Sequence, residues 1–382
     1  MLVDTYEGLI AFCERASTSP VLAVDTEFLR ERTFYPKLCL VQVGTEDEQA
    51  AVDVLSIRDL EPLERLLFND VATKVLHACT QDVEVLLHRF GQVLRPVFDT
   101  QLAAAFLGHR MQMGYGALVA AYTGVHLDKA DTLTDWSRRP LDASQLVYAE
   151  EDVRYLPGIY RQMMDELVRL DRLTWVLPEM ADLVAHAAHA VDPVDAYEHV
   201  KRAGTLSRPQ LAVCRELAAW REKAAMRKDI PRKWVISDEV LIELCRRAPK
   251  TPDRLRKVRG TQALSETDVE GALLAIKRGR ACPPTALPTL ARASKAPVDG
   301  ASVQDQESVV DLMYAMVRLL ADRAKVAPQL VAKRDDLVDF IHDPAGSRLS
   351  EGWRRTLVGE ELERLLRGEA GLTVRNGRLE VI

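Results

Sequence analysis

The chain has 382 residues, 47% hydrophobic and 28% charged, which is ordinary for a globular protein but too long for one core, so two or three domains are expected. No apolar run approaches the ~20 residues that span a bilayer, and Met1–Glu14 lacks the basic start of a secretory signal, so no membrane partner is expected. The six cysteines show no paired spacing, which argues against a disulfide framework or a cysteine zinc site and for a reducing cytoplasm.

In chain order, the first half alternates strand and helix signals. Strands are predicted at Val21–Asp25, Leu38–Gly44, Ala50–Val54, Thr73–Ala78 and Val97–Phe98, each a short apolar run. The polar stretch Thr45–Gln49 reads as a hairpin loop. Helices are predicted at Leu60–Phe68, Gln81–Phe90, Thr100–Leu107, Ala117–Tyr122 and Ala143–Tyr155. An initial hairpin followed by alternation implies a mixed sheet with helices on its faces.

Beyond Leu167 the strand signals fade. Val200–Gly279 and Ser302–Gly368 are helical in pattern and resemble each other. Ile230-Pro231 aligns with Ala327-Pro328, and Lys277-Arg278-Gly279 with Leu366-Arg367-Gly368. The Pro- and Ala-rich stretch 281–301 between them reads as a linker. The expected domains are therefore 1–190, 200–280 and 302–382.

Charge is unevenly placed. Met1–Ala190 holds 17 basic and 29 acidic residues, whereas Val200–Arg280 holds 20 basic and 10 acidic. Ser302–Ile382 has 12 basic and 14 acidic residues, which suits packing better than a polyanion clamp. An acidic half joined to a basic segment fits a metal site coupled to nucleic-acid binding.

Three acidic signals carry chemistry. Asp25-Thr26-Glu27-Phe28 closes the first apolar strand, and residues two apart on a strand share a side. Two carboxylates about 4 Å apart repel by ~4 kcal/mol at an effective dielectric near 20, a burden that a divalent cation removes. Asp82 falls in the first turn of the helix after Thr73–Ala78, with Thr80 as the expected N-cap. Tyr148 and Asp152, at i and i+4, stack on one helix face. Each of the last two is common alone; an Asp can simply complement a helix dipole.

Together they match the three exonuclease motifs of the DEDD superfamily, tyrosine subclass. With Thr33-Phe34-Tyr35-Pro36, Leu76-His77-Ala78, Asp99-Thr100-Gln101, Thr134-Asp135-Trp136 and Arg139-Pro140-Leu141, the chain resembles bacterial ribonuclease D along essentially its whole length. The resemblance implies an α/β ribonuclease-H-like exonuclease domain, a mixed sheet flanked by helices, followed by two small all-α HRDC domains. It further implies metal-dependent 3′→5′ hydrolysis of RNA with release of nucleoside 5′-monophosphates, tRNA precursors as partners, and a monomer. Two Mg²⁺ or Mn²⁺ ions would be held by Asp25, Glu27, Asp82 and Asp152, an all-oxygen donor set that suits hard cations. Tyr148 would orient the attacking water. Phe28 is a candidate to stack on a terminal base, with core packing as its alternative. Arg227, Lys228, Arg232 and Lys233 are candidates for phosphate contact. His77 is expected to hydrogen-bond near its strand end and not to bind metal. Because all four carboxylates precede Ala190, the repeats are expected to add RNA affinity, not chemistry. Two other readings share these residues: a DNA 3′→5′ exonuclease of the Werner type, and a nucleic-acid-binding protein without catalysis.

Overall fold

The structure, a computed structural model, describes residues 1–127, 134–189, 192–290 and 302–382; the linker expected at 281–301 lies partly outside them. Its contacts gather into two compact units.

The first unit holds Met1–Glu27, Leu38–Ala188 and residues 302–382. Its sheet comprises β1 (Leu2–Val3), β2 (Val21–Leu29), β3 (Lys37–Gly44), β4 (Gln49–Val52), β5 (Thr73–Leu76) and β6 (Val97–Asp99). Their order across the sheet is β1-β4-β3-β2-β5-β6. β4 pairs antiparallel with β3, while β1–β4, β2–β5 and β5–β6 are parallel, so the sheet is mixed as expected. The central strands bury almost every residue, Leu22–Val24 and Cys39–Val43 included, which is why they read as unbroken apolar runs. The helices that accompany the sheet are α1 (Tyr6–Ala16), α2 (Glu61–Leu67), α3 (Thr80–Phe90), α4 (Thr100–Phe106), α5 (Tyr115–Thr123), α6 (Ala143–Arg154), α7 (Leu156–Arg169) and α8 (Leu173–Ala188). Two-residue β1 escaped the sequence pattern because it is too short to show alternation. Thr80 does not cap α3: Cys79 does, without a side-chain bond.

The second unit holds Phe28–Lys37 and residues 192–290. It is built from α9 (Arg208–Lys228), α10 (Arg232–Val235), α11 (Asp238–Arg247), α12 (Pro252–Arg256) and α13 (Glu266–Arg280). At Gly279 a Cβ would stand 2.4 Å from Val213 Cα, so only glycine lets α13 lie this close to α9. Asp229, in the left-handed conformation at the end of α9, accepts the backbone N–H groups of Phe34 and Tyr35 at 3.0 and 3.1 Å. The Arg232 guanidinium sits 4.8 Å above the Phe34 ring.

The C-terminal stretch of the first unit repeats this order: α14 (Val303–Ala324), a left-handed cap at Lys325, α15 (Pro328–Val331) and α16 (Arg334–His342). α17 (Gly352–Arg354), a π-turn and α18 (Glu360–Leu366) follow. The match between Gly279 and Gly368 does not survive. Gly279 is a close-packing residue inside α13, whereas Gly368 (φ +73°) is an unobstructed turn after α18. Gly359 takes the packing role here, since a Cβ there would reach Leu349 O. The tail is not helical either: β7 (Leu372–Arg375) and β8 (Arg378–Val381) form a hairpin around Asn376-Gly377, both at positive φ.

This stretch shares one apolar core with the sheet-bearing domain. Trp353 stacks on Trp175 at 5.4 Å and meets Phe106 edge-on at 5.2 Å. The Arg172 guanidinium donates to the carbonyls of Phe106, Ala324 and Lys325, a cation at the C-terminal end of α14 where the helix dipole favours it. Arg354 and Trp353 Nε1 both donate to Glu179, and Arg354 reaches the carbonyls of Leu330 and Val331 as well. The residues after 302 are therefore a structural brace of the nuclease half and not an appendage to it.

Arg354→Ala removes the main partner of the mostly buried Glu179 carboxylate, leaving it Trp353 Nε1 and the Arg348 guanidinium 3.9 Å away. Losing a charge-assisted partner of this kind costs about 1–3 kcal/mol, so denaturant unfolding of the first unit should shift by that order, and no measurable shift would show the brace to be loosely attached.

Candidate active site

β2 ends at the site. Asp25, Glu27 and Asp152 place one carboxylate oxygen each within 4.8 Å of one another, and all three are partly accessible. Asp152 comes from α6, whose N-terminus is fixed by a capping box between Asp142 and Gln145. At Gly44 on β3 a Cβ would lie 3.0 Å from Val153 O, so the absent side chain lets α6 press onto the sheet and carry Asp152 to β2.

Asp82, from the first turn of α3, is buried. It stands outside the three-carboxylate cluster, yet close enough to raise the pKa of Asp25, Glu27 and Asp152. Thr26, between the two β2 carboxylates, donates its hydroxyl to Asp82 Oδ1 at 2.5 Å. Tyr148 hydrogen-bonds Asp152, and its ring lies 6.0 Å from that of Trp136.

Electrostatics reflect this crowding. Burial, then repulsion from Asp82, Asp152 and Glu27, pushes Asp25 well above the usual carboxylate range. Burial followed by Asp152 and Asp82 raises Glu27 to about 8, with the neighbouring Gln42 amide pulling the other way. Burial lifts Asp152 to about 7 against the Tyr148 hydrogen bond, and Asp82 to about 6 against that of Thr26. Burial and the same carboxylates drive the Tyr148 phenol up, so it is neutral at physiological pH and donates instead of acting as a phenolate base. Four acids that resist ionisation together fit a divalent cation: only oxygen ligands, and excess negative charge with no basic partner among the described residues.

The remaining residues named from sequence fall as follows. His77 bridges Thr100 Oγ1 and Met113 O, each at 2.9 Å, a structural histidine as expected. Phe28 is half-buried and opens the segment grouped with the helical unit. Lys228 pairs with the buried Asp268, with Arg227 3.7 Å from the same carboxylate. Arg232 pairs with the buried Glu222 at 2.5 Å. Lys233 is exposed and makes no ion pair among the described residues. Sequence reasoning missed Thr26, Gln42 and the role of Arg139. The last grips Asp53 with two hydrogen bonds of 2.6 Å and also donates to Cys39 O and Trp136 O, fixing the Trp136 loop before α6. Arg139 stood in a quoted motif; nothing in the pattern pointed to Asp53.

The 3′-5′ exonuclease family matches residues 1–168, and the HRDC domain matches residues 210–264. Ribonuclease D of Acidiphilium cryptum is 37% identical over all of this chain and 97% of that protein, and ribonuclease D of Granulibacter bethesdensis is 38% identical over all of it and 96%. The chain belongs to the ribonuclease D family. Among solved structures, that of Escherichia coli RNase D, an exoribonuclease involved in structured RNA processing, aligns with a TM-score of 0.81, 30% identity and coverage of 96% of this chain and 98% of that one. The protein is a 3′→5′ exoribonuclease with a ribonuclease-H-like exonuclease fold and an HRDC domain, and its family depends on divalent metal.

The pKa shifts set a stability trend. Asp82, Asp152 and Glu27 rise from ordinary values of 3.8, 3.8 and 4.5 to about 6, 7 and 8, so the folded protein holds protons that the unfolded chain has released. Their contribution is full below the ordinary values and is lost as pH climbs through the folded ones. In EDTA the melting temperature should therefore decline between about pH 5 and pH 8. Mg²⁺ should restore it, with the larger increment at the higher pH. An increment independent of pH would mean that the cation does not bind these carboxylates.

Proposed function

We propose that this ribonuclease D trims the 3′ ends of structured RNAs, tRNA precursors in particular, with two Mg²⁺ or Mn²⁺ ions, releasing nucleoside 5′-monophosphates. The observation that carries the reading is the convergence of Asp25, Glu27 and Asp152 oxygens within 4.8 Å, with Asp82 tethered beside them, in a chain of this family. Asp25, Glu27 and Asp152, with Asp82 beside them, would hold the ions. A bound pair of such ions stabilises the entering and leaving oxygens of an in-line phosphoryl displacement.

The chain's own groups do the positioning. Tyr148, neutral and hydrogen-bonded to Asp152, orients the attacking water with its hydroxyl. Thr26 keeps Asp82 turned toward the cluster. Phe28 stacks on a terminal base. Of the basic candidates, Lys233 is the first choice for phosphate contact, next to Trp234, which is 54% exposed and offers a face for an unpaired base. Arg227, Lys228 and Arg232 contribute a field weakened by Asp268 and Glu222. The proposed division is a nuclease domain at 1–190, a first HRDC domain at 200–280, a linker at 281–301 and a second HRDC-like repeat at 302–382. The matching order of α9–α11 and α14–α16 supports the last. A cytoplasmic monomer completes the reading.

The test is degradation of 3′-extended RNA and the equivalent DNA, side by side, with and without Mg²⁺. Metal-dependent loss of 3′ nucleotides from RNA, with DNA degraded far more slowly, is expected; preference for DNA would overturn the substrate assignment. Asp25→Asn should fold and bind RNA but lose activity. Retention of more than about a tenth of the rate, only ~1.4 kcal/mol in barrier, would contradict ligation by Asp25. Tyr148→Phe should slow cleavage by ~10²–10⁴-fold with little change in RNA affinity. An unchanged rate with weakened binding would make Tyr148 a substrate contact.

A further inference from the structure

Gln42 is completely buried, and among the described residues neither its Oε1 nor its Nε2 finds a hydrogen-bond partner. Natural interiors hold few such groups, and each calls for a reason. Its neighbours on β3 provide none: Leu40, Val41 and Val43 are fully buried and apolar.

Position supplies one. Alternation along β3 puts Gln42 on the same side as Gly44, and Gly44 is the point where Val153 of α6 presses onto the strand. α6 also carries Tyr148 and Asp152. β2, next to β3 in the sheet, brings in Glu27, and the Gln42 amide is near enough to Glu27 to favour its ionised form. The amide therefore looks into the carboxylate cluster from a side that water does not reach, a little short of hydrogen-bond geometry. Its chemistry suits the place. An Arg or Lys here would neutralise Glu27 and compete with a cation, whereas an amide N–H orients a carboxylate and leaves its charge available.

We propose that Gln42 is a positioning residue: its amide Nε2 donates to Glu27 and holds that carboxylate in the orientation that takes a divalent cation. This rests on the metal-dependent reading of the site, and the test separates the two.

Mn²⁺ binding to the full chain is measured at about pH 8 by the EPR signal of free Mn²⁺, for wild type and for Gln42→Met, which keeps length and volume but removes the donor. Gln42→Met should fold with a melting temperature in EDTA equal to or above that of wild type, since two unpaired buried atoms are gone. It should bind Mn²⁺ about 10- to 100-fold more weakly, the usual effect of losing a group behind a metal ligand. RNA affinity in EDTA should not change, and the cleavage rate should recover as Mn²⁺ is raised to saturation. Mn²⁺ affinity within about twofold of wild type overturns the proposal, as does a rate deficit that saturating Mn²⁺ leaves in place. If Gln42→Met does not fold, Gln42→Leu takes its place, and failure of both to fold in EDTA overturns the proposal in favour of a purely structural amide. A wild-type protein that binds no Mn²⁺ overturns the metal reading itself, and this proposal with it.

Discussion

Mutual repulsion among four half-buried or buried carboxylates is the constraint on which the nuclease half depends. Burial raises the pKa of all four, and repulsion from neighbouring carboxylates adds to it at Asp25, Glu27 and Asp152; ionised together and left alone, they would drive β2, α3 and α6 apart. The fold opposes that with rigid apolar packing. β2 runs through the middle of the sheet, α6 is pinned at its start by a capping box and pressed on β3 at Gly44, and Asp82 is held by Thr26. Strain of this kind is tolerable because binding a cation relieves it, so affinity for metal and stability of the fold are two faces of one electrostatic term.

The brace at residues 302–382 answers the same demand. Its near-balanced charge gives it little attraction for RNA, but its Trp353 and Arg354 enter the nuclease core and engage Glu179 of α8. α8 in turn packs on β6 and α3, and α3 carries Asp82. Two stretches of similar helical order thus differ in use. The stretch in the first unit spends its polar residues on a buried core contact; the one in the second unit keeps exposed cations and an exposed tryptophan. Dispensability cannot be judged from where the catalytic residues lie along the chain, because all of them precede Ala190 and yet their scaffold is completed after residue 302.

Much of this was legible in the sequence for a physical reason: buried strands must be apolar, and charged residues at their ends break the pattern. Val21–Val24 followed by Asp25 and Glu27, and Tyr148 four residues before Asp152, are signals of that sort, and each strand and helix predicted in the first half fell within a few residues of its observed bounds, although α1 and α7 were not predicted. What stayed hidden depends on partners distant in sequence. Arg139 and Asp53, Arg354 and Glu179, and Thr26 and Asp82 are pairs separated by 86, 175 and 56 positions, and no local period reports them. The C-terminal hairpin is a different case. Asn376-Gly377 between Leu372–Arg375 and Arg378–Val381 is a turn signal, obscured by reading the whole region as helical. Repeat matching failed in the same region because Gly279 and Gly368 satisfy different needs, close packing in one and a left-handed turn in the other.

Three consecutive residues organise the chemistry. Asp25 and Glu27 point into the space under α6 with Asp152, while Thr26 between them turns its hydroxyl to Asp82, so a single strand end addresses the carboxylates of both flanking helices. A longer residue than threonine at the middle position would push Asp82 away; a shorter one would leave that buried acid without its donor. The sheet therefore does more than support the site. By alternating a ligand, a tether and a ligand along one strand it sets the distances among all four acids at once, and the remaining freedom, the rotation of each carboxylate, falls to neighbours such as Tyr148 on Asp152 and Gln42 beside Glu27.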